Sequence, residues 1–251
     1  MQQVCLSGLS RGGFFQKAAF YGGTCLRIFH GLNRFSEDLD FSLIDKKSSL
    51  SLEDYFEDIV REFQGLGREV EISKRTKRNF TNVESAFLKD NTDVINLKFQ
   101  TEPSIKIKLE VDTTPPGLFS TEHKLLMLPY SFMVRCYTLP DLFAGKMHAL
   151  LFRKWNNRIK GRDWYDFEWY LRNNIPLNFA HFTERAVQSE GFSKDFITRE
   201  TFREFLKEKI NTTNIKEVKQ DVLRFVKIPK ELDIWSKDYF LQLAERVSIV
   251  D

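Results

Sequence analysis

The sequence predicts an α/β (α+β) fold in which a sheet-bearing N-terminal core is followed by a helical C-terminal portion, on three observations. Short runs before residue 114 alternate apolar and charged residues as strands do: Ile105, Ile107, Leu109 and Val111 share one face, Lys106, Lys108, Glu110 and Asp112 the other. From Leu139 onward the apolar residues recur at helical spacing instead. Between the two regimes stands Pro115-Pro116-Gly117, which ends the strands and sets the expected division into residues 1–116, the α/β core, and 117–251, the helical portion.

Each element follows from local pattern. Residues 3–18 carry Val4, Leu6, Leu9, Phe14 and Phe15 but are interrupted by Gly8 and Gly12-Gly13, which predicts a short helix fraying into a turn. Ala18 to Tyr21 is a short strand that delivers Gly22 and Gly23 to its end, and a helix follows over Thr24 to Phe29. A strand is expected near 37–44, then a helix over Leu52 to Leu66 with Tyr55, Phe56, Ile59, Val60 and Phe63 on its apolar side. Strands follow at 68–78, at Val94 to Gln100 and at Ile105 to Thr113, the last two joined by a turn at Thr101-Glu102-Pro103-Ser104. Helices are then expected at 141–154, 163–172, 178–189, 199–210, 214–226 and 237–247.

At 251 residues the chain has length enough for a substantial core, and 42% apolar with 29% charged residues is an ordinary soluble balance. No apolar run reaches the roughly 20 residues a membrane helix needs, so a cytoplasmic protein without a membrane partner is expected. Cys5, Cys25 and Cys136 lack metal or disulfide spacing and read as buried thiols; the four histidines form no cluster in sequence. The net charge of +3 does not by itself argue for nucleic acid, but Lys74-Arg75-Thr76-Lys77-Arg78 and the set Arg153, Lys154, Arg158, Lys160, Arg162 are local basic patches compatible with RNA.

Two stretches carry chemistry. In Tyr21-Gly22-Gly23-Thr24 a turn at a helix start can offer N–H groups to a phosphate. In Ser36-Glu37-Asp38-Leu39-Asp40-Phe41 two carboxylates at i, i+2 share one strand face, while Leu39, Phe41 and Leu43 point to the core. Asp38 and Asp40 can share a divalent cation, and Glu110 is the best third carboxylate if its strand lies beside theirs, with Asp112 as the alternate. Taken singly, an Asp-x-Asp is a solvated strand face and a Gly-Gly a turn; their combination favours the site. Further on, Lys146 lies on a helical face with Leu142, Phe143, Ala149 and Leu150, a place for a triphosphate-binding lysine or for one that snorkels from the helix edge. Asp163 suits a helix N-cap, and Asp166 an ion pair with Arg162 or Arg158.

The segment Ala19 to Leu43 resembles the first motif of the nucleotidyltransferase superfamily. Together with Leu139-Pro140-Asp141-Leu142-Phe143-Ala144-Gly145-Lys146 and Lys160-Gly161-Arg162-Asp163-Trp164-Tyr165-Asp166, it is similar to the AbiEii/AbiGii toxins, the toxin halves of type IV toxin–antitoxin and abortive-infection systems. The resemblance implies a nucleotidyltransferase-type core, a small mixed sheet with flanking helices. It implies transfer of a nucleoside monophosphate from a nucleoside triphosphate (NTP) to an acceptor hydroxyl, the 3′ end of a tRNA by family analogy, with release of pyrophosphate. Asp38, Asp40 and Glu110 would hold Mg²⁺, Gly22, Gly23, Thr24 and Ser36 would meet the nucleotide, Lys146 would neutralise the triphosphate, and Asp163 or Asp166 would orient Lys146 or the nucleotide. A cognate antitoxin is a possible partner. Two other readings stay open: an enzyme that nucleotidylates protein hydroxyls, and a non-catalytic nucleotide-binding regulatory module.

Overall fold

The computed structural model describes residues 1–47, 49–74, 92–99, 106–153 and 159–251. They form two compact units. One comprises Met1–His30, Glu37–Pro115 and Thr121–Tyr137, the other Gly31–Ser36, Pro116–Ser120 and Thr138–Asp251.

The first unit is built on α1 (Gln2–Arg11), β1 (Ala18–Tyr21), α2 (Gly22–Phe29), β2 (Leu39–Leu43), α3 (Phe56–Gly65), β3 (Val70–Lys74), β4 (Thr92–Phe99), β5 (Lys106–Asp112), β6 (Thr121–Leu126) and β7 (Phe132–Tyr137). Its strands make one mixed sheet in the order β3-β4-β5-β2-β1-β7-β6. Two parallel pairings, β2 with β5 and β1 with β7, are set among antiparallel neighbours. The apolar sides of β1 and β2 are buried with Phe14: its ring lies edge-on to Phe41 at 4.9 Å, and Phe20 is 5.2 Å from Phe41. Burying such rings fixes which face of β2 is left for Asp40, because adjacent residues of a strand point to opposite faces. All three cysteines are buried and unpaired by disulfide, as expected for thiols used as apolar filler.

The strands β6 and β7 lie beyond Pro115-Pro116-Gly117 and were not anticipated. The contacts return residues 121–137 to the first unit, where a single cut after residue 116 had been expected. A period-two signal was present: Phe132, Val134 and Cys136 are buried while Met133 is exposed. It was hidden because proline and glycine were read as ending the sheet when they only interrupt it. The helix expected from Thr24 begins two residues earlier, since Gly22 adopts φ +79°, a conformation costly for other residues, and lets the chain pass straight from β1 into α2. Leu52–Tyr55 winds as a 3₁₀ turn ahead of α3 rather than as part of it, with the Ser51 hydroxyl accepting from the N–H of Glu53. The expected turn at 101–104 and the cations Arg75, Lys77, Arg78, Lys154 and Arg158 lie outside the described residues.

The second unit contains α4 (Leu139–Phe152), α5 (Gly161–Arg172), β8 (Leu177–Asn178), α6 (Phe179–Glu190), α7 (Arg199–Thr212), α8 (Ile215–Leu223), α9 (Lys237–Ala244) and β9 (Ile249–Val250), with β8 and β9 paired in parallel. Helix α5 packs against α8 so closely that a side chain on Gly161 would strike the backbone of Val218 and Val222. The first N–H of α5 is there satisfied by the Asp221 carboxylate, at 2.9 Å. Among the described residues no helix is long and apolar enough to cross a membrane.

Candidate active site

The carboxylate pair comes from the register of two parallel strands. Asp40 of β2 is the direct partner of Glu110 of β5, one step from Leu39–Leu109 and Phe41–Val111, which are buried. Register partners on neighbouring strands project from the same face, so Asp40 and Glu110 stand side by side on the side opposite the aromatic core. Glu110 is ion-paired with Lys108 two residues earlier on the same strand. Asp40 is approached from above by Gly22: any Cβ at that position would collide with the Asp40 carboxylate. The positive φ of Gly22 and its contact with Asp40 are two independent reasons for glycine at the first turn of α2.

Asp38 is not itself in the strand. It precedes β2, half-buried, and its backbone carbonyl accepts a 2.5 Å hydrogen bond from the Thr24 hydroxyl. Thr24 therefore ties α2 to the backbone beside the acid. Gly23 and Ser36 are buried, Gly23 in the first turn of α2 and Ser36 in the segment leading to Asp38. The alternate acid Asp112 is the register partner of Ser42 and accepts from the Thr114 N–H at 3.0 Å, a turn contact. On the same sheet the Tyr137 hydroxyl donates to the Ser42 hydroxyl at 2.8 Å, and the Tyr137 ring stacks on Tyr21 at 5.4 Å.

Among the described residues no three His, Cys, Asp or Glu side chains are gathered closely enough to hold a metal ion. Chemically, the Asp40–Glu110 pair nonetheless suits one. Carboxylate oxygens are what a hard divalent cation takes, and the Lys108 ammonium now beside Glu110 supplies the positive charge such a cation would bring.

The second unit holds a different assembly. Lys146 of α4 reaches Asp166 at 2.7 Å and Asp163 at 3.6 Å, both on α5. Asp166 is fully buried, and Arg34 grips both of its oxygens, with Nε on Oδ1 and Nη2 on Oδ2, each at 2.6 Å, Oδ2 being the oxygen that Lys146 also meets. Burial alone would raise the Asp166 pKa, but the guanidinium and the ammonium outweigh it and hold the carboxyl below its usual range. Burial likewise opposes the charge on Arg34, yet Asp166 carries its pKa upward. Asp163 does not cap α5: the helix starts at Gly161 with Lys160 at the cap position, and Asp163 is its third residue, in the first turn, where it joins Lys146. Of the two expected partners of Asp166, Arg162 instead lies over the Phe225 ring at 4.3 Å, and Arg158 is outside the described residues. Asp163 and Lys160 also line a cavity of about 710 Å³ with Leu150, Phe152 and Trp164. Burial, and then the charge of Arg153, push the Lys160 ammonium down to about 8.

The family model described as "Nucleotidyl transferase AbiEii toxin, Type IV TA system" matches residues 4–242. The chain belongs to this AbiEii family. Among solved structures, MenT4, a nucleotidyltransferase toxin from Mycobacterium tuberculosis, aligns with a TM-score of 0.56 at 16% identity, over 98% of this chain and 80% of that one. JHP933 from Helicobacter pylori aligns with a TM-score of 0.50 at 15% identity, over 98% and 86%. At such identities the likeness is one of fold. No curated protein matches.

Membership in the AbiEii family makes this a nucleotidyltransferase toxin of the type IV toxin–antitoxin class. One residue of its ion cluster was not singled out from sequence. Arg34 falls between the helix expected to end at Phe29 and the strand expected near 37, where no element is predicted, yet it is buried, and its backbone is anchored by a bridge to Val226 and by the Phe35 N–H donating to Phe225 at 2.8 Å. The available signal was an arginine two residues ahead of Ser36 inside the quoted motif, but no local pattern names a partner 132 residues away.

Proposed function

We propose that this AbiEii chain transfers a nucleoside monophosphate from an NTP to an acceptor hydroxyl, and that the acceptor is the 3′ end of a tRNA. The observation that carries the reading is the junction of Gly22 with the Asp40–Glu110 register pair. A helix N-terminus, a turn without a side chain and two adjacent carboxylates are what a metal-bound triphosphate requires. In the transfer, the acceptor oxygen bonds to the α-phosphorus, the bond from that phosphorus to the bridging oxygen breaks, pyrophosphate leaves, and the hydroxyl proton passes to water. Asp40, with Asp38 and Glu110, would hold Mg²⁺, which supplies charge neutralisation and activation of the hydroxyl. Gly22 and Gly23 present backbone N–H groups to the phosphates, and Thr24 keeps Asp38 in place. Lys146 is the cation assigned to the outer phosphates, with Asp163 and Asp166 orienting it. Ser36, leading into Asp38, is the remaining nucleotide-binding residue.

The type IV family description supports a cognate antitoxin as a partner, and cytoplasmic action would place the protein with its substrates. The test is incubation with each α-labelled NTP, Mg²⁺ and either total RNA or total protein. Label entering tRNA, lost on chelation of the metal, is the expected result. Label in protein would replace the acceptor, and label in neither, despite NTP binding, would leave a nucleotide-binding regulator.

A further inference from the structure

We propose that Arg34 is a positioning residue for Lys146, acting through Asp166. The inference rests on the reading that Lys146 serves the nucleotide, and it adds the device that fixes where the ammonium stands.

A lysine side chain is a flexible stem with a point charge at its tip, and by itself it has no defined orientation. What defines it here is Asp166, fully buried and placed by α5. A carboxylate on one helix could still rotate about its own bonds. Two parallel N–H donors from the Arg34 guanidinium, one to each oxygen at 2.6 Å, remove that freedom. The guanidinium is itself fixed: Nη1 donates to the Phe35 carbonyl at 2.9 Å, and the backbone of Arg34 and Phe35 is tied to Phe225 and Val226. The chain of constraint therefore runs from the backbone of 225–226 through Arg34 and Asp166 to the Lys146 ammonium at 2.7 Å. Lys146 has three donors, of which Asp166 takes one; Asp163 at 3.6 Å is an ion pair too long for a hydrogen bond. The side chain is mostly covered but keeps 18% exposure, whereas Arg34 is at 2% and Asp166 at 0%. Two fully buried groups thus hold one accessible cation. Lysine in place of Arg34 keeps the charge but cannot make the paired contact, so it separates geometry from neutralisation.

The test has two readouts on wild type, Arg34→Lys and Asp166→Asn, each first checked for cooperative melting. The first is acylation of Lys146 by an amine-directed reagent, read by peptide mass spectrometry against exposed Lys230. Loss of the fixed partner should raise the Lys146 rate several-fold with Lys230 unchanged. The second is a double-mutant cycle with Lys146→Ala on the KM for the NTP that labels in the transfer assay. Arg34→Lys should raise that KM about tenfold in wild type and have little effect in the Lys146→Ala background, because contacting residues couple. Equal effects in both backgrounds, or unaltered Lys146 reactivity in both Arg34→Lys and Asp166→Asn, would overturn the proposal. If instead Lys146→Ala leaves NTP use unaltered while reactivity still responds to Arg34, the positioning holds and the role of Lys146 in nucleotide binding fails.

Discussion

Asp40 and Glu110 are placed by backbone, whereas Asp166 and Lys146 are placed by side chains. In the first unit the parallel register of β2 and β5 brings two carboxylates together, and each could be replaced without moving the strand that carries it. In the second unit Asp166 is fully buried, and its charge survives because Arg34 and Lys146 pair with it. The difference is between charges exposed for use and charges buried for support. It predicts opposite balances of activity loss and stability loss on mutation.

The largest effect is expected on the first side of that comparison. Asp40→Ala, and Asp38→Ala with it, should abolish transfer, a loss of several kcal/mol in transition-state stabilisation if these residues hold the metal, on the order of 10³-fold or more in rate. Melting temperature should hardly change, because Asp40 on the strand and Asp38 just before it are only half-buried, and partly exposed acids contribute little stability. Turnover within a few-fold of wild type would remove both residues from the site.

On the second side the order should reverse. Arg34→Met leaves Asp166 buried with Lys146 alone, and removing one partner of a buried pair costs about 3–5 kcal/mol, here toward the lower figure because one cation remains. Chemical denaturation measures this directly. A loss below about 1 kcal/mol would mean that Asp166 takes up a proton or finds another partner, and the contrast between the two units would weaken.

The two assemblies also differ in how far they could be read from sequence. The placement of Asp40 on the face opposite Phe41 follows from strand alternation, and the expectation that Glu110 lies beside it needed only the assumption that two alternating strands are neighbours. Lys146, on a helix with the right apolar face, was also visible. Arg34 was not, because an arginine in a loop is ordinarily solvated and only the tertiary fold brings it to Asp166. The same limit applies to Asp163, whose local context suggests a cap; Asp221 of α8 satisfies the helix start instead. Strands β6 and β7 were missed for a different reason: a Pro-Pro-Gly interruption was given more weight than the alternation that resumes after it.

A smaller effect tests the seam between α2 and Asp40. Gly22→Ala forces a side chain into a left-handed conformation costing about 1–2 kcal/mol, and it also pushes against the Asp40 carboxylate. A fall in melting temperature of a few degrees is expected, about 2–4 °C per kcal/mol in a protein of this size. Activity should fall further than this stability loss explains. Wild-type activity in the alanine variant would show that Asp40 can shift without consequence.

A last effect concerns pH and asks whether the second unit's habit of burying polar groups makes it acid-sensitive. His148 and His181 are both largely buried there; His148 shares a 2.6 Å hydrogen bond with the Ser189 hydroxyl, and His181 Nδ1 one of 2.8 Å with the Gly117 carbonyl. Burial, and then the charge of Arg185, lower His148 to about 3 and His181 to about 4, with Arg153 adding to the effect at His148. Both values lie below the unfolded value of about 6.5, so in the interval between them the unfolded chain takes up protons that the folded chain refuses. Stability should therefore fall as pH drops from about 6.5, by about 1–2 kcal/mol for each histidine on reaching pH 5. Asp166 acts in a separate window: its folded pKa is depressed, so its contribution is full above the unfolded carboxylate value of about 3.9 and is lost only below it. His148→Gln removes one titrating group while retaining a side chain able to bond Ser189. Its melting temperature, compared with wild type in steps from about pH 7 to pH 5, should converge on or overtake the wild-type curve as pH falls. Parallel curves across that range would mean that His148 is protonated in the folded protein, and that its burial costs nothing in acid.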